Sequence, residues 1–171
     1  NAAFAGVRRL LLVSTDDVME PGRRLEQNRN VIEASVRCGV EHVVYTSISQ
    51  ALPDSVVAAT PDHLETERML AASRLGWTVL RKNIYAESLL PALTRALATG
   101  QWRTAAGEGA AAYVTREDCA QAAAKVLALP NLASAKPGFV DRLIHGTSAE
   151  NGHTLVTFER AAKKLPATHV L

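Results

Sequence analysis

The sequence predicts an α/β chain: a doubly wound parallel sheet with helices on both faces, incomplete at its N-terminal side. Three observations carry this. Short apolar runs rich in β-branched residues recur at 8–15 ("RRLLLVST"), 42–49 ("HVVYTSIS") and 77–83 ("WTVLRKN"), as strands covered on both faces require. Segments of helical spacing separate them, which makes strand–helix–strand units and hence a parallel sheet. Each run then turns polar at its end: Ser14, Thr15 and Asp16; Thr46 and Ser47; Lys82 and Asn83.

The opening "NAAFAGV" reads as the end of a helix passing through Gly6 into the first strand, so the chain is expected to begin inside a domain. In "RLEQNRNVIEASVRCG", Leu25, Val31, Ile32 and Val36 recur near helical spacing, and Gly39 supplies the C-terminal stop. "PDHLETERMLAASRLG" is helical from Pro61, with acids early and Gly76 expected to close it. A further helix runs through "YAESLLPALTRALATG", where Pro91 is tolerable only near the first turns. After a Gly/Ala-rich stretch, "AYV" is a short extended piece. "TREDCAQAAAKVLAL" then opens with Thr115 and Asp118 spaced as in a capping box, with Asp in place of Glu or Gln.

Composition narrows the function. The chain has 171 residues, 47% apolar and 21% charged, which suits one ordinary globular domain. Its net charge of +2 arises from scattered basic pairs, Arg8 with Arg9, Arg23 with Arg24, Lys163 with Lys164. These read as solvated faces, with no stripe to track a nucleic acid. The longest apolar run near the start, Leu10 to Val13, is too short to cross a membrane. Cys38 and Cys119 are far apart and lack a C-x-x-C partner, which suggests neither zinc nor a disulfide framework and fits a reducing cytoplasm. His42, His63, His145, His153 and His169 form no H-E-x-x-H motif, so no metal site is expected. No G-x-S-x-G nucleophile elbow occurs.

In an open parallel sheet, ligands bind outside the carboxyl ends of the strands. Three polar strand ends in succession therefore predict a shared cleft, against the alternative that all are loop residues or caps. "GEGAAA" (107–112) satisfies G-x-G-x-x-A through Gly107 and Gly109. It follows "QWRTA" and precedes an extended piece instead of joining a strand to a helix, so it reads as a turn and not a phosphate loop.

"LLLVSTDD", "NRNVIEASVRCGVEHVVYTSIS", "DHLETERMLAASRLGWTVLRKNIYAES" and "TREDCAQAAAKVL" together resemble consecutive blocks of the NmrA-like, atypical short-chain dehydrogenase family, most of all its bacterial NAD(P)H:quinone oxidoreductase branch. The resemblance covers about residues 4–129, a partial Rossmann-like NAD(P)-binding domain. It fades over 130–171, a divergent segment that stands as part of a substrate lobe or outside the fold, although "TFERAAKKL" resembles the family's next helix.

What the resemblance implies is a nicotinamide cofactor, NADP or else NAD, lying across the strand ends. Ser14, Thr15 and Asp16 correspond to the loop against the cofactor's middle. Thr46 and Ser47 flank the nicotinamide side, and Lys82, Asn83, Ile84 and Tyr85 line nicotinamide and substrate. His63 occupies the place where related reductases carry a catalytic Lys, and an imidazole titrates near neutrality; the plainer reading is a surface or capping residue. Tyr85 offers an apolar body with a polar tip, or simply anchors the next helix.

The main short-chain dehydrogenases use a Tyr with a Lys four residues on. After Tyr45, Tyr85 and Tyr113 stand Ser49, Leu89 and Glu117, which disfavours alcohol oxidation by that route. Quinone reduction demands less, because a delocalised oxyanion needs only hydrogen-bond donors. The expected protein is thus an NAD(P)H-dependent oxidoreductase passing hydride to a small quinone-like acceptor, with no nucleic-acid or membrane partner and a homodimer left open. A non-enzymatic NAD(P)-binding sensor and an inactive fragment with an open sheet edge are the alternatives. The family's phosphate loop would lie about sixty residues upstream of Asn1. A product truncated there is expected to lose cofactor affinity by orders of magnitude.

Overall fold

The computed structural model describes residues 2–15, 17, 20, 22–49, 59–104, 107, 109 and 111–130, and the backbone of 155–157 and 168–170. Asp16, "TFERAAKKL" beyond Thr157, and most of the expected C-terminal segment lie outside the described residues.

The expected strands form a three-stranded parallel sheet, β1 (Arg9–Leu12), β2 (His42–Ile48) and β3 (Gly76–Lys82), in that order. Register pairs Leu12 with Tyr45 and Ile48 with Lys82, so all three carboxyl ends share one edge. Between the strands run α1 (Arg23–Cys38) and α2 (Thr60–Ala72). Strand alternation separates the two faces. Leu12, Val43 and Tyr45 meet Ile32 of α1 and Leu70 of α2 on one side. Val44 and Leu80 meet Ala123 and Val126 of α4 (Arg116–Ala128) on the other, giving the doubly wound arrangement. The chain begins with a 3-10 turn at Ala2–Phe4.

Gly39 closes α1 at φ 74°, as expected of a left-handed C-terminal glycine. Gly76 does something else. Helix α2 ends earlier, at Ala72, where the Ser73 hydroxyl donates to the Leu70 carbonyl at 2.7 Å. Gly76 instead starts β3, and a Cβ there would lie 2.5 Å from Nδ1 of the buried His42 ring. It is a close-packing glycine, not a helix stop.

The third strand breaks at Asn83. The chain resumes as β4 (Ile84–Tyr85), which pairs in parallel with β5 (Tyr113–Val114). A 3-10 turn (Ala86–Leu89) leads into α3 (Leu90–Thr99), with Pro91 in its first turn as expected. Helix α3 buries none of its side chains, and Leu90, Leu93 and Leu97 are exposed. Gly107, in the rejected fingerprint, is a turn residue at φ 54° ahead of β5. Thr115 caps α4 by accepting from the Asp118 N–H at 3.0 Å, but its hydroxyl, not its backbone, meets the Asp118 carboxylate at 2.7 Å. The chain's last described strands, β6 (Leu155–Thr157) and β7 (Thr168–Val170), pair in parallel as a separate sheet.

Candidate functional site

Two side-chain clusters occupy the shared strand edge. At the β1–β2 end, Ser14 donates its backbone N–H to Thr46 Oγ1 (3.1 Å) and its hydroxyl to the Thr46 carbonyl (2.7 Å). The Ser14 and Thr46 side chains thus fasten one strand end to the next. Ser14 Oγ also lies 3.2 Å from the Tyr45 hydroxyl, which is 2.8 Å from Nδ1 of His63. Nε2 of His63 is 3.3 Å from Nη1 of Arg24. Thr15 is exposed and donates to the Gln27 side chain at 2.9 Å.

His63 is only 4% exposed, and both ring nitrogens face protein groups, so it is neither a surface residue nor a cap, and no nitrogen is left over for a substrate. Burial, with the Arg24 and Lys82 charges, pushes its pKa down to about 4, against a smaller opposing pull from Glu67. The imidazole is therefore neutral at pH 7. Burial likewise holds the Tyr45 phenol above its ordinary range. Arg24, expected on a solvated face with Arg23, is inside as well, at 4% exposure.

Ser47 departs from expectation in the same direction. It is fully buried on the α2 side and donates to Glu67 Oε1 at 2.6 Å. Arg81 grips both oxygens of the same carboxylate, at 3.1 and 2.6 Å. The Ser47 side chain thus clamps β2 and β3 to α2 and points away from the strand-end edge; alternation along β2 dictates this once Tyr45 faces inward.

The β3–β4 end is organised differently. Lys82 Nζ sits 3.9 Å from the centre of the Tyr85 ring, and the Arg116 guanidinium carbon 4.6 Å from it. Such cation–π contacts need little burial to hold their geometry. Glu87 steadies Arg116 by accepting its backbone N–H at 2.9 Å, with the carboxylate 3.7 Å from the guanidinium. Burial lowers the Lys82 pKa and raises those of Tyr85 and of Cys119, whose thiol interacts with Lys82. Asn83 is exposed and accepts from the Ser49 hydroxyl, tying the ends of β2 and β3 together. Ile84 is 58% exposed beside them. Two cations, a tyrosine ring and an open aliphatic surface in one place suit a flat, polarisable ring that gains negative charge.

Cys38 and Cys119 are not joined in a disulfide, and no metal-holding group of His, Cys, Asp and Glu occurs among the described residues. Among those residues no helix is long and apolar enough to cross a membrane. Arg24, Glu67 and Arg116 were not among the expected site residues. Of the three, Arg24 alone falls in a buried stripe at helical spacing, with Asn28, Ile32 and Ser35 on α1 facing Thr60, His63, Thr66 and Leu70 on α2, and no sequence pattern marks Glu67 or Arg116.

No family model matches the chain. Quinone oxidoreductase 2 of Escherichia coli is 42% identical over 126 residues, 74% of this chain and 43% of that protein. An NmrA-like family domain-containing oxidoreductase of Aspergillus flavus is 31% identical over 153 residues, 88% of this chain and 47% of the relative. The crystal structure of the E. coli NADPH-dependent quinone oxidoreductase complexed with NADPH superposes with a TM-score of 0.69 at 40% identity, over 76% of this chain and 44% of that one. The chain thus spans less than half the length of the relatives it matches. With a Rossmann-like sheet whose strand ends form one edge, and with these identities, the chain belongs to the NmrA-like, atypical short-chain dehydrogenase family, alongside the bacterial NAD(P)H:quinone oxidoreductases.

Proposed function

We propose that this chain carries the nicotinamide side of an NAD(P)H-dependent oxidoreductase that reduces a quinone-like acceptor. The observation that carries the reading is the Lys82–Tyr85–Arg116 cluster at the end of β3. Its likeness to an enzyme crystallised with NADPH supports NADP as the cofactor.

The residues present fit such a group, because the exposed Ile84 and the Tyr85 ring offer apolar surface to a flat heterocycle while Lys82 offers a donor beside it. When bound, the reduced nicotinamide supplies a hydride, two electrons with one proton, and solvent supplies the second proton that completes a hydroquinone. Everything else falls to the chain. Lys82 and Arg116 lower the cost of negative charge on the acceptor oxygen. Tyr85, kept protonated by burial, donates a hydrogen bond to that oxygen. Ser14, Thr46 and Asn83 hold the strand ends in register, and the exposed Thr15 is left to meet the cofactor's middle. His63 touches neither partner and acts through Tyr45.

The test is NADPH oxidation with a panel of simple quinones, using the protein in its natural full length. Turnover supports the reading, and Lys82→Met should lower kcat by about tenfold or more. Tight NADPH binding without turnover on any quinone favours a sensor instead, and absence of binding removes both.

A further inference from the structure

The contacts around His63 allow only one arrangement of hydrogens on its ring. A guanidinium has N–H donors and no acceptor, so the atom facing Arg24 Nη1 at 3.3 Å must be a nitrogen with a free lone pair. Nε2 is therefore unprotonated, and the neutral ring carries its hydrogen on Nδ1. That hydrogen points at the Tyr45 hydroxyl, 2.8 Å away, which makes the tyrosine oxygen an acceptor there. Downstream, Ser14 has one hydroxyl hydrogen, and the Thr46 carbonyl at 2.7 Å can only accept it. The Tyr45 hydroxyl hydrogen is then left for an oxygen, either Ser14 Oγ at 3.2 Å or the Thr66 hydroxyl that also meets it. The opposite tautomer would set an Nε2–H against an arginine N–H.

We infer that Arg24 is a positioning residue: by donating to His63 it selects the Nδ1–H tautomer, so that Tyr45 accepts from His63 and keeps its own hydroxyl hydrogen for the Ser14 or Thr66 oxygen. Tyr45 thereby seats its hydroxyl against Ser14, which also gives its backbone N–H to Thr46 Oγ1 in the strand-end loop. The placement of Arg24 supports this. It is more than nine-tenths buried, and its Nε has no hydrogen-bond partner among the described residues, which leaves the contact of Nη1 with His63 as its side-chain hydrogen bond among them. Other groups facing the imidazole are Lys82 from β3 and Glu67 from α2. The inference rests on the proposed function only in the statement that this loop is one that meets a dinucleotide.

Nitrogen-15 labelling of histidine in the full chain reads the tautomer without any ligand. At neutral pH, His63 should show a protonated Nδ1 and a bare Nε2; an Nε2–H tautomer or an imidazolium would overturn the inference. Arg24→Met should release the tautomer and weaken NADPH binding by about tenfold, the weight of one hydrogen bond. Arg24→Lys, which restores a donor, should recover most of both. If Arg24→Met leaves tautomer and affinity unchanged, or Arg24→Lys fails to differ from it, Arg24 merely fills space. Should the unsubstituted chain not bind NADPH at all, the cofactor reading fails while the tautomer still decides the role of Arg24.

Discussion

The β1–β2 end and the β3–β4 end of the sheet are both polar, yet their polar groups are disposed in opposite ways. At the first, Ser14, Thr46, Tyr45, His63 and Arg24 bind one another, and Tyr45 and His63 are almost wholly enclosed. At the second, the Lys82 ammonium and the Arg116 guanidinium rest on the Tyr85 ring, and Ile84 and Asn83 stand exposed beside them. The polar groups of the first end are spent on one another, with Arg24 Nε the exception among the described residues, so the first end is scaffold. Polar groups held by ring contacts keep hydrogen-bonding capacity for a ligand, which is why the proposed function puts recognition at the second end. Polar residues at a strand end do not identify a site until their internal partners are known.

Substituting one residue at each end should break that comparison most sharply. His63→Leu leaves the Tyr45 hydroxyl and the Arg24 guanidinium without their shared partner in the interior, and is expected to cost about 3 kcal/mol or more. Tyr85→Leu removes only a half-exposed ring and should cost about 1 kcal/mol or less. Urea unfolding of the two variants beside the parent measures both. Equal losses would mean that the ends do not differ as described.

Acid should distinguish the ends next. His63 titrates at about 4 in the folded chain and near 6.5 in the unfolded one. Below about pH 6.5 the unfolded chain binds a proton that the native state refuses, so stability falls as pH drops toward about 4 and this contribution then levels off. At about 1.4 kcal/mol per pKa unit, the loss approaches about 3.5 kcal/mol. His42, buried and also shifted down, adds to the fall in the same direction. In His63→Gln the slope of urea midpoint against pH should flatten; an unchanged slope would assign the acid sensitivity elsewhere.

Why the sequence showed the sheet but concealed the scaffold follows from how pattern reading works. Strands β1 to β3 are legible because Val, Ile, Leu and Tyr in unbroken runs have few alternatives to burial. The inner faces of α1 and α2 are a different case. They meet through Asn28, whose amide donates to Thr66 at 3.0 Å, and through Arg24 and His63. Polar residues at helical spacing look like an exposed face, since periodicity alone cannot tell a satisfied buried stripe from a solvated one. Pattern therefore points to Leu25 as part of the apolar face and to Arg24 as part of a solvated one, although Arg24 is the buried one of the two. Lys82 and Tyr85 were singled out by their place at a strand end, whereas Arg116 joins them from a distant helix start that no local pattern connects to β3.

Helix α4 brings Arg116 to that end, and its cap sets the angle of approach. Thr115→Ala removes the oxygen that accepts the Asp118 N–H and should cost about 1 kcal/mol. If the second end depends on Arg116 as described, the same substitution should lower kcat more than it raises KM for the acceptor, because Arg116 meets charge that develops only as hydride arrives. Steady-state kinetics at saturating NADPH separates the two parameters, and a pure KM effect would exclude Arg116 from stabilising that charge.

The smallest change in stability is expected from Tyr85→Phe, and it is the most exact probe of the second end. Both variants at this position delete the hydroxyl, but Phe keeps the ring under Lys82 and Arg116 while Leu does not. Stability should stay within about 0.5 kcal/mol of the parent for Phe, since no hydrogen bond from the hydroxyl to another described residue is lost. Activity should still fall, by about tenfold in kcat, if the phenol donates to the acceptor oxygen. Burial holds that phenol above its ordinary range, so it stays protonated through neutral pH and the drop should be independent of pH there. If Phe instead matches the parent and only Leu is impaired, the ring is a platform for the cations, and the donor to the acceptor is Lys82 alone.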